Sequence, residues 1–227
     1  MVPYFQIRMA LKVIITGVTG MVGEGVLHEA LLHPDVENVL TVSRKSSGMI
    51  HPKLKEVLIP DFFDLFAIEK NLIGYDACFF CLGVSSIGMK EDVYKHLTYD
   101  LTMNFAKTVS KLNPEMTFCY ISGKSTDSTE QGRLMWARIK GKTENDLMKL
   151  PFKHVFAFRP GYIHPTKGMK YTLKYYKYFS WLYPFLRLIY PSGVSSLREI
   201  GVAMINVSMK GYSKPILEVQ DIVAAAK

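Results

Sequence analysis

With 227 residues, 48% hydrophobic and 21% charged, the chain has ordinary globular composition and the length of one packed domain, which excludes fibrous and disordered classes. Three cysteines, Cys78, Cys81 and Cys119, are too few for a disulfide framework and fit a reducing compartment, so the expected location is cytoplasmic. The net charge of +8 is gathered in one place: Leu147 to Arg198 holds nine Lys or Arg and no Asp or Glu, which suggests an anionic cofactor, substrate or membrane surface.

The opening MVPYFQIRMA has neither the apolar core nor the cleavage site of a signal peptide, and Met9 is a candidate natural start. From LKVIIT (11–16) onward, short runs rich in β-branched and aromatic residues recur: NVLTVS (38–43), KEVLI (55–59), ACFFCL (77–82), MTFCYI (116–121) and HVFAFR (154–159). They do not alternate cleanly, as expected of parallel strands buried on both faces. Helical spacing covers Val22 to Leu31, 92–112 and 130–149, and a last helix near 195–209 precedes the strand PILEV (215–219). This alternation predicts an α/β fold, a doubly wound parallel sheet with helices on both faces. Cys78 and Cys81 have C-x-x-C spacing, but three apart on a strand they face opposite sides and read as two buried thiols. The six histidines show no metal-ligand spacing, and no apolar run reaches the length of a membrane span.

The chemistry begins at VIITGVTGMVGEGVL, where Gly17, Gly20 and Gly23 follow the first strand directly and lead into the first helix, with Thr19, Met21 and Val22 between them. Glycine here permits a tight turn, close approach of backbone to a pyrophosphate, and close helix–strand packing, while the helix N-terminus supplies free N–H groups. A side chain at Gly20 would take the pyrophosphate's place. The spacing is G-x-x-G-x-x-G, which departs from the usual G-x-G-x-x-G fingerprint. At the end of the second strand an NAD protein usually carries an acid for the ribose; this chain has Ser43, Arg44 and Lys45. Two cations and a hydroxyl suit a 2′-phosphate, so NADP is the preferred cofactor and NAD the alternative. In PDFFDL, Asp61 and Phe62 are placed to meet the adenine.

TGVTGMVG, FFCLGVS, YISGKSTD, WARIKGKTEN and FRPGYI fall in the order and spacing of the extended and atypical short-chain dehydrogenase/reductases. Over nearly its whole length the chain resembles the Tat-interacting-protein oxidoreductases and the bacterial proteins labelled nucleoside-diphosphate-sugar epimerases. The resemblance implies one Rossmann-type domain, with a dinucleotide-binding core over 10–160 and a substrate or lid segment over 161–227. It implies that Gly17, Thr19, Gly20 and Gly23 cradle the pyrophosphate and Arg44 meets the 2′-phosphate. Leu82 and Gly83 would line the path to the nicotinamide, flanked by Pro160 and Gly161, and Lys140 would hold the nicotinamide ribose. It also implies a hydroxyl after the fifth strand that binds the reacting oxygen; Ser122 and Ser125 both stay open for that role.

One residue departs from the pattern. Where the family carries its catalytic tyrosine, this chain has Trp136. A phenol starts near pKa ~10 and can be tuned toward working pH, whereas an indole only donates a hydrogen bond. Tyr162 and His164, just past the sixth strand, are alternative proton donors. Two functions follow: an NADP(H)-dependent reductase or epimerase-like enzyme on a small, anionic substrate, or a catalytically silent NADP-binding sensor or scaffold.

The basic stretch 167–190 interleaves lysine with tyrosine. Lys167, Lys170, Lys174 and Lys177 would form one stripe on a helix, beside Tyr171, Tyr175, Tyr178 and Leu182. The expectation is a lid over the nicotinamide end of the site or a homodimer surface. Peripheral membrane contact is a weaker reading, and nucleic acid would rest on charge alone.

Overall fold

The computed structural model describes residues 10–171 and 183–227. The first βαβ unit consists of β1 (Leu11–Thr16), α1 (Met21–Leu32) and β2 (Val36–Ser43); β3 (Leu54–Leu58) and β4 (Ala77–Phe80) follow. A continuous helical stretch then runs through α2 (Glu91–Lys95), one π-turn at His96–Asp100, and α3 (Leu101–Leu112). Next come β5 (Thr117–Ile121), α4 (Met135–Leu147), β6 (His154–Arg159) and β7 (Tyr162–His164). The described chain closes with α5 (Tyr183–Ile189), β8 (Val194–Ser196), α6 (Leu197–Lys210), β9 (Ile216–Glu218) and α7 (Val219–Ala225).

Seven strands form one parallel sheet in the order β3-β2-β1-β4-β5-β6-β9, and β7 pairs with β8 apart from it. The α/β, doubly wound expectation is met. The order reverses between β1 and β4, and in such sheets the reversal opens a crevice beyond the carboxyl ends of the strands.

The sheet divides the core in two. Val13 and Ile15 face α1 and α6, packing with Val26, Leu27, Ile200 and Met204. Ile14, between them, faces the other way among Phe80, Phe105 and Phe118. This period of two, with both faces apolar, is why the strands read as unbroken hydrophobic runs. Cys78 lies in the second cluster and Cys81 against the first, so they do face opposite sides. All three thiols are free, and burial raises their pKa values, that of Cys119 to about 12.

Several elements differ from expectation, among them the unanticipated strands β7 and β8. Helix α4 begins at Met135 and not at 130, because the Asp127 carboxylate accepts the Thr129 N–H (3.0 Å), the Thr129 hydroxyl (2.6 Å) and the Gly132 N–H (2.6 Å). These local bonds compete with helix formation. The last strand ends at Glu218, where a reciprocal Glu218–Asp221 capping box starts the unanticipated α7. Finally, Lys167–Tyr171 forms turns around Gly168 at φ +91°, so Lys167 and Lys170 do not sit on a helix. Lys174, Lys177, Tyr175, Tyr178 and Leu182 lie outside the described residues. Among those residues no helix is long and apolar enough to cross a membrane.

Candidate nucleotide site and the Lys140 end

The turn after β1 is built on two glycines. Gly17 has φ +73°, and a Cβ there would lie 2.6 Å from the Cys81 carbonyl carbon. At Gly23 a Cβ would lie 2.1 Å from the Gly17 oxygen. Gly20 is different: it is extended at φ −117°, exposed, and a Cβ would meet only the Gly17 oxygen at 3.4 Å. The fold therefore needs glycine at 17 and 23, and a side chain at 20 would obstruct only the space in front of the helix. Gly23→Ala is expected to cost about 1–3 kcal/mol in a urea melt, as overpacking does, while Gly20→Ala stays near wild type. Equal midpoints for the two variants would refute the assignment.

Beyond the carboxyl ends of β1, β2 and β4 lies a cavity of about 430 Å³. Gly17, Thr19 and Leu82 form its floor side, and Ser43, Arg44 and Lys45 line the β2 end; Phe62 and Tyr171 also contribute. The Leu82 N–H donates to the Thr16 hydroxyl at 3.3 Å, tying the two strand ends together. The Ser43 hydroxyl is buried and donates to the Lys45 carbonyl at 2.6 Å, so it shapes the turn. Glu56 on β3 accepts the Ser46 hydroxyl (2.6 Å) and the Ser47 N–H (2.9 Å), holding the same loop from below. Burial raises the Glu56 pKa, but these hydrogen bonds outweigh it and the net shift is downward. Arg44 and Lys45 are left exposed, with no carboxylate partner among the described residues.

Met21 and Val22 pack against the core behind the loop, and Gly83 is exposed. Phe62 is largely buried in the core and shows only an edge to the cavity. Asp61 does not line it; its carboxylate accepts the Phe63 N–H at 2.9 Å in a local turn.

A second group gathers where β5, α4 and β6 meet. Lys140 Nζ donates to the Ser122 carbonyl at 2.5 Å, and burial pulls the ammonium down to about 8, with the Glu144 charge opposing. Ser122 itself is buried, and its hydroxyl donates to the Phe158 carbonyl at 3.0 Å. Ser125 is exposed at φ +70°, a left-handed conformation unusual for serine. Pro160 is buried, its carbonyl accepting the Lys124 N–H at 2.9 Å, and a Cβ on Gly161 would lie 2.3 Å from the Gly193 oxygen. Trp136 is half-buried, one helical turn before Lys140. His164 stacks on Tyr183 with ring centres 3.9 Å apart, and burial lowers its pKa. Two contacts had no obvious sequence signal. Glu144, fully buried, is held by Arg159 at 3.1 Å (Nε) and 2.5 Å (Nη2). Glu24 accepts two backbone N–H groups from Lys170 and Tyr171. Among the described residues no group of His, Cys, Asp and Glu could hold a metal ion.

The fold is that of the Rossmann-type short-chain dehydrogenases and nucleotide-sugar epimerases. A UDP-N-acetylglucosamine 4-epimerase from Methanobrevibacter ruminantium M1 superposes with a TM-score of 0.64 at 17% identity, covering 95% of this chain and 81% of that one. A short chain dehydrogenase from Burkholderia cenocepacia J2315, solved in complex with NADP, superposes with a TM-score of 0.63 at 15% identity over 96% and 92%. By sequence the chain is similar to fungal proteins named FMP52. That of Debaryomyces hansenii is 30% identical over 154 residues, 66% of either chain; fmp52-1 of Aspergillus terreus is 26% identical over 162 residues, 69% of this chain and 68% of its own. The chain thus spans about two thirds of the length of these curated relatives. No family model matches it.

These relatives overturn the cytoplasmic expectation, since their names place them in mitochondria. The expectation rested on unpaired cysteines, which report reducing conditions and do not distinguish one reducing compartment from another.

Proposed function

We propose that the chain binds NADP(H) in the crevice between β1 and β4 and acts as a short-chain reductase or nucleotide-sugar-epimerase-like protein on a small, anionic substrate. In this reading residues 10–160 are the dinucleotide-binding core of one domain, and 161–227 form its substrate segment. The observation that carries the proposal is the cavity itself. Its β2 end presents Arg44 and Lys45, exposed and without carboxylate partners among the described residues, where an NAD-specific protein would present an acid. The NADP complex of a protein with the same fold supports it, and the mitochondrial relatives support a mitochondrial setting. Lys140, half-buried beside Ser122, is the group suited to the nicotinamide ribose.

A second reading has a specific observation behind it. Trp136 stands in the tyrosine's place, and the Ser122 hydroxyl is engaged by the Phe158 carbonyl. Both favour a cofactor-binding protein in which no hydride moves.

Both readings require the nucleotide. NADPH should bind more tightly than NADH by calorimetry, and Arg44→Ala should remove about 1.5–3 kcal/mol of the NADPH affinity, the scale of a hydrogen bond to a charged group. NADH binding as tightly as NADPH to the wild-type protein would defeat the cofactor assignment.

A further inference from the structure

The cavity is closed by residues from distant parts of the chain. Glu24, in the first turn of α1, is buried, and its two carboxylate oxygens accept the Lys170 and Tyr171 N–H groups, each at 2.7 Å. Met169, just before them, packs on the core shared by α1 and α6. A carboxylate taking two adjacent backbone donors fixes a segment in position and in orientation, and such charge-assisted bonds are roughly twice as strong as neutral ones. The result is the placement of Tyr171, which walls the same cavity as Arg44, Lys45 and Phe62. Lys170 Nζ lies 5.3 Å from the centre of the Tyr171 ring. This is the end of the crevice beyond β2. Lys140 and Ser122 belong to the other end, on α4 and after β5. Lys170 and Tyr171 therefore do not cover the Lys140 end, whereas later in the basic stretch Tyr183 stacks on His164 and the Tyr190 hydroxyl accepts from Lys124.

We propose that Lys170 and Tyr171 form a strap, latched by Glu24, that recognises the adenosine 2′-phosphate half of the cofactor. The inference rests on the nucleotide reading of this cavity. Tyr171 offers a ring face to a purine and a hydroxyl to a phosphate oxygen, and Lys170, exposed beside the Tyr171 ring, adds positive charge next to that wall. Glu24 is a positioning residue; it acts through Tyr171.

The test titrates 2′,5′-ADP and NADPH into the full chain as wild type, Tyr171→Ala, Glu24→Gln and the double variant, with circular dichroism to confirm folding. Tyr171→Ala should weaken both ligands by the same factor, roughly tenfold, the scale of one base–aromatic contact. Glu24→Gln should weaken both as well, and its effect should largely vanish in the Tyr171→Ala background, because the two act as one unit. A purely structural Glu24 would give additive losses, which overturns the latch. Should Tyr171→Ala weaken NADPH and leave 2′,5′-ADP untouched, the strap serves the nicotinamide end and the proposal fails. If the wild type binds both ligands and Tyr171→Ala binds them equally well, the strap falls and the nucleotide site stands. If the wild type binds neither, both fall together.

Discussion

Trp136→Tyr is expected to raise NADPH-dependent carbonyl reduction, by as much as the ~10²–10⁴-fold that a general acid contributes. Position 136 is the second residue of α4, half-buried, and Lys140 follows one turn later on the same face. The Lys140 ammonium is fastened to the Ser122 carbonyl at 2.5 Å, and its pKa is drawn down to about 8 by burial. A phenol at 136 would sit beside that cation, and a nearby positive charge lowers a phenol's pKa. An indole in the same place can pack and donate, but it cannot give up a proton. The measurement is steady-state NADPH oxidation across quinones, aldehydes and ketones. Strong wild-type turnover, unchanged in Trp136→Tyr and lost on substitution of Tyr162 or His164, would show that the proton comes from β7 and would retire the silent reading.

Glu144→Ala should destabilise the fold by about 3–5 kcal/mol, the range for a buried pair that loses one partner. Glu144 has no solvent exposure, and it meets Arg159 through two hydrogen bonds. Arg159 reaches further, to the Ser128 hydroxyl at 2.6 Å and to Glu218 at 3.3 Å, so one guanidinium joins α4, β6, β9 and the Asp127 loop. Removing the carboxylate leaves that largely buried cation with only the half-exposed Glu218 as a carboxylate partner. Replacing both partners by apolar residues, Glu144→Leu with Arg159→Met, should recover most of the loss, since a well-packed apolar pair is often no worse than the ion pair. Urea melts of the three proteins measure this. A single variant within about 0.5 kcal/mol of wild type, the scale of ordinary surface changes, would mean that Arg159 finds its compensation elsewhere. Glu144 also raises the Lys140 pKa, so its loss should depress that pKa further.

The sheet was legible because its strands are buried on both faces and so appear as unbroken apolar runs, from LKVIIT to HVFAFR. The glycine loop was legible as a motif, but its individual roles were not. Which glycine cannot carry a Cβ depends on where the Cys81 carbonyl and the Gly17 oxygen come to rest, and that is decided by strands far apart in the chain. Periodicity starts the helix containing Trp136 five residues too early, because Asp127 collects its bonds over only a few residues and leaves no periodic trace. Arg159 stood out only as part of FRPGYI; its carboxylate partner is fifteen residues away on a helix that looks amphipathic without it. The charge and aromaticity of Lys170 and Tyr171 point, by spacing alone, to one stripe of a helix. The turn at Gly168 and the anchor on Glu24 put them elsewhere.

The bond from Glu24 to the Lys170 N–H spans 146 residues. Contacts so far apart in the chain close late, after the local pairings that make them affordable in entropy. The glycine turn and the β2 end lie within the first fifth of the sequence and are synthesised early. Their wall arrives only when most of the polypeptide has left the ribosome, since chains fold from the N-terminal side as they emerge. The crevice is thus assembled in two instalments, and the first is an open trough. A ligand that needs the wall is held only once Tyr171 has docked on Glu24, and by mass action it favours that docked state.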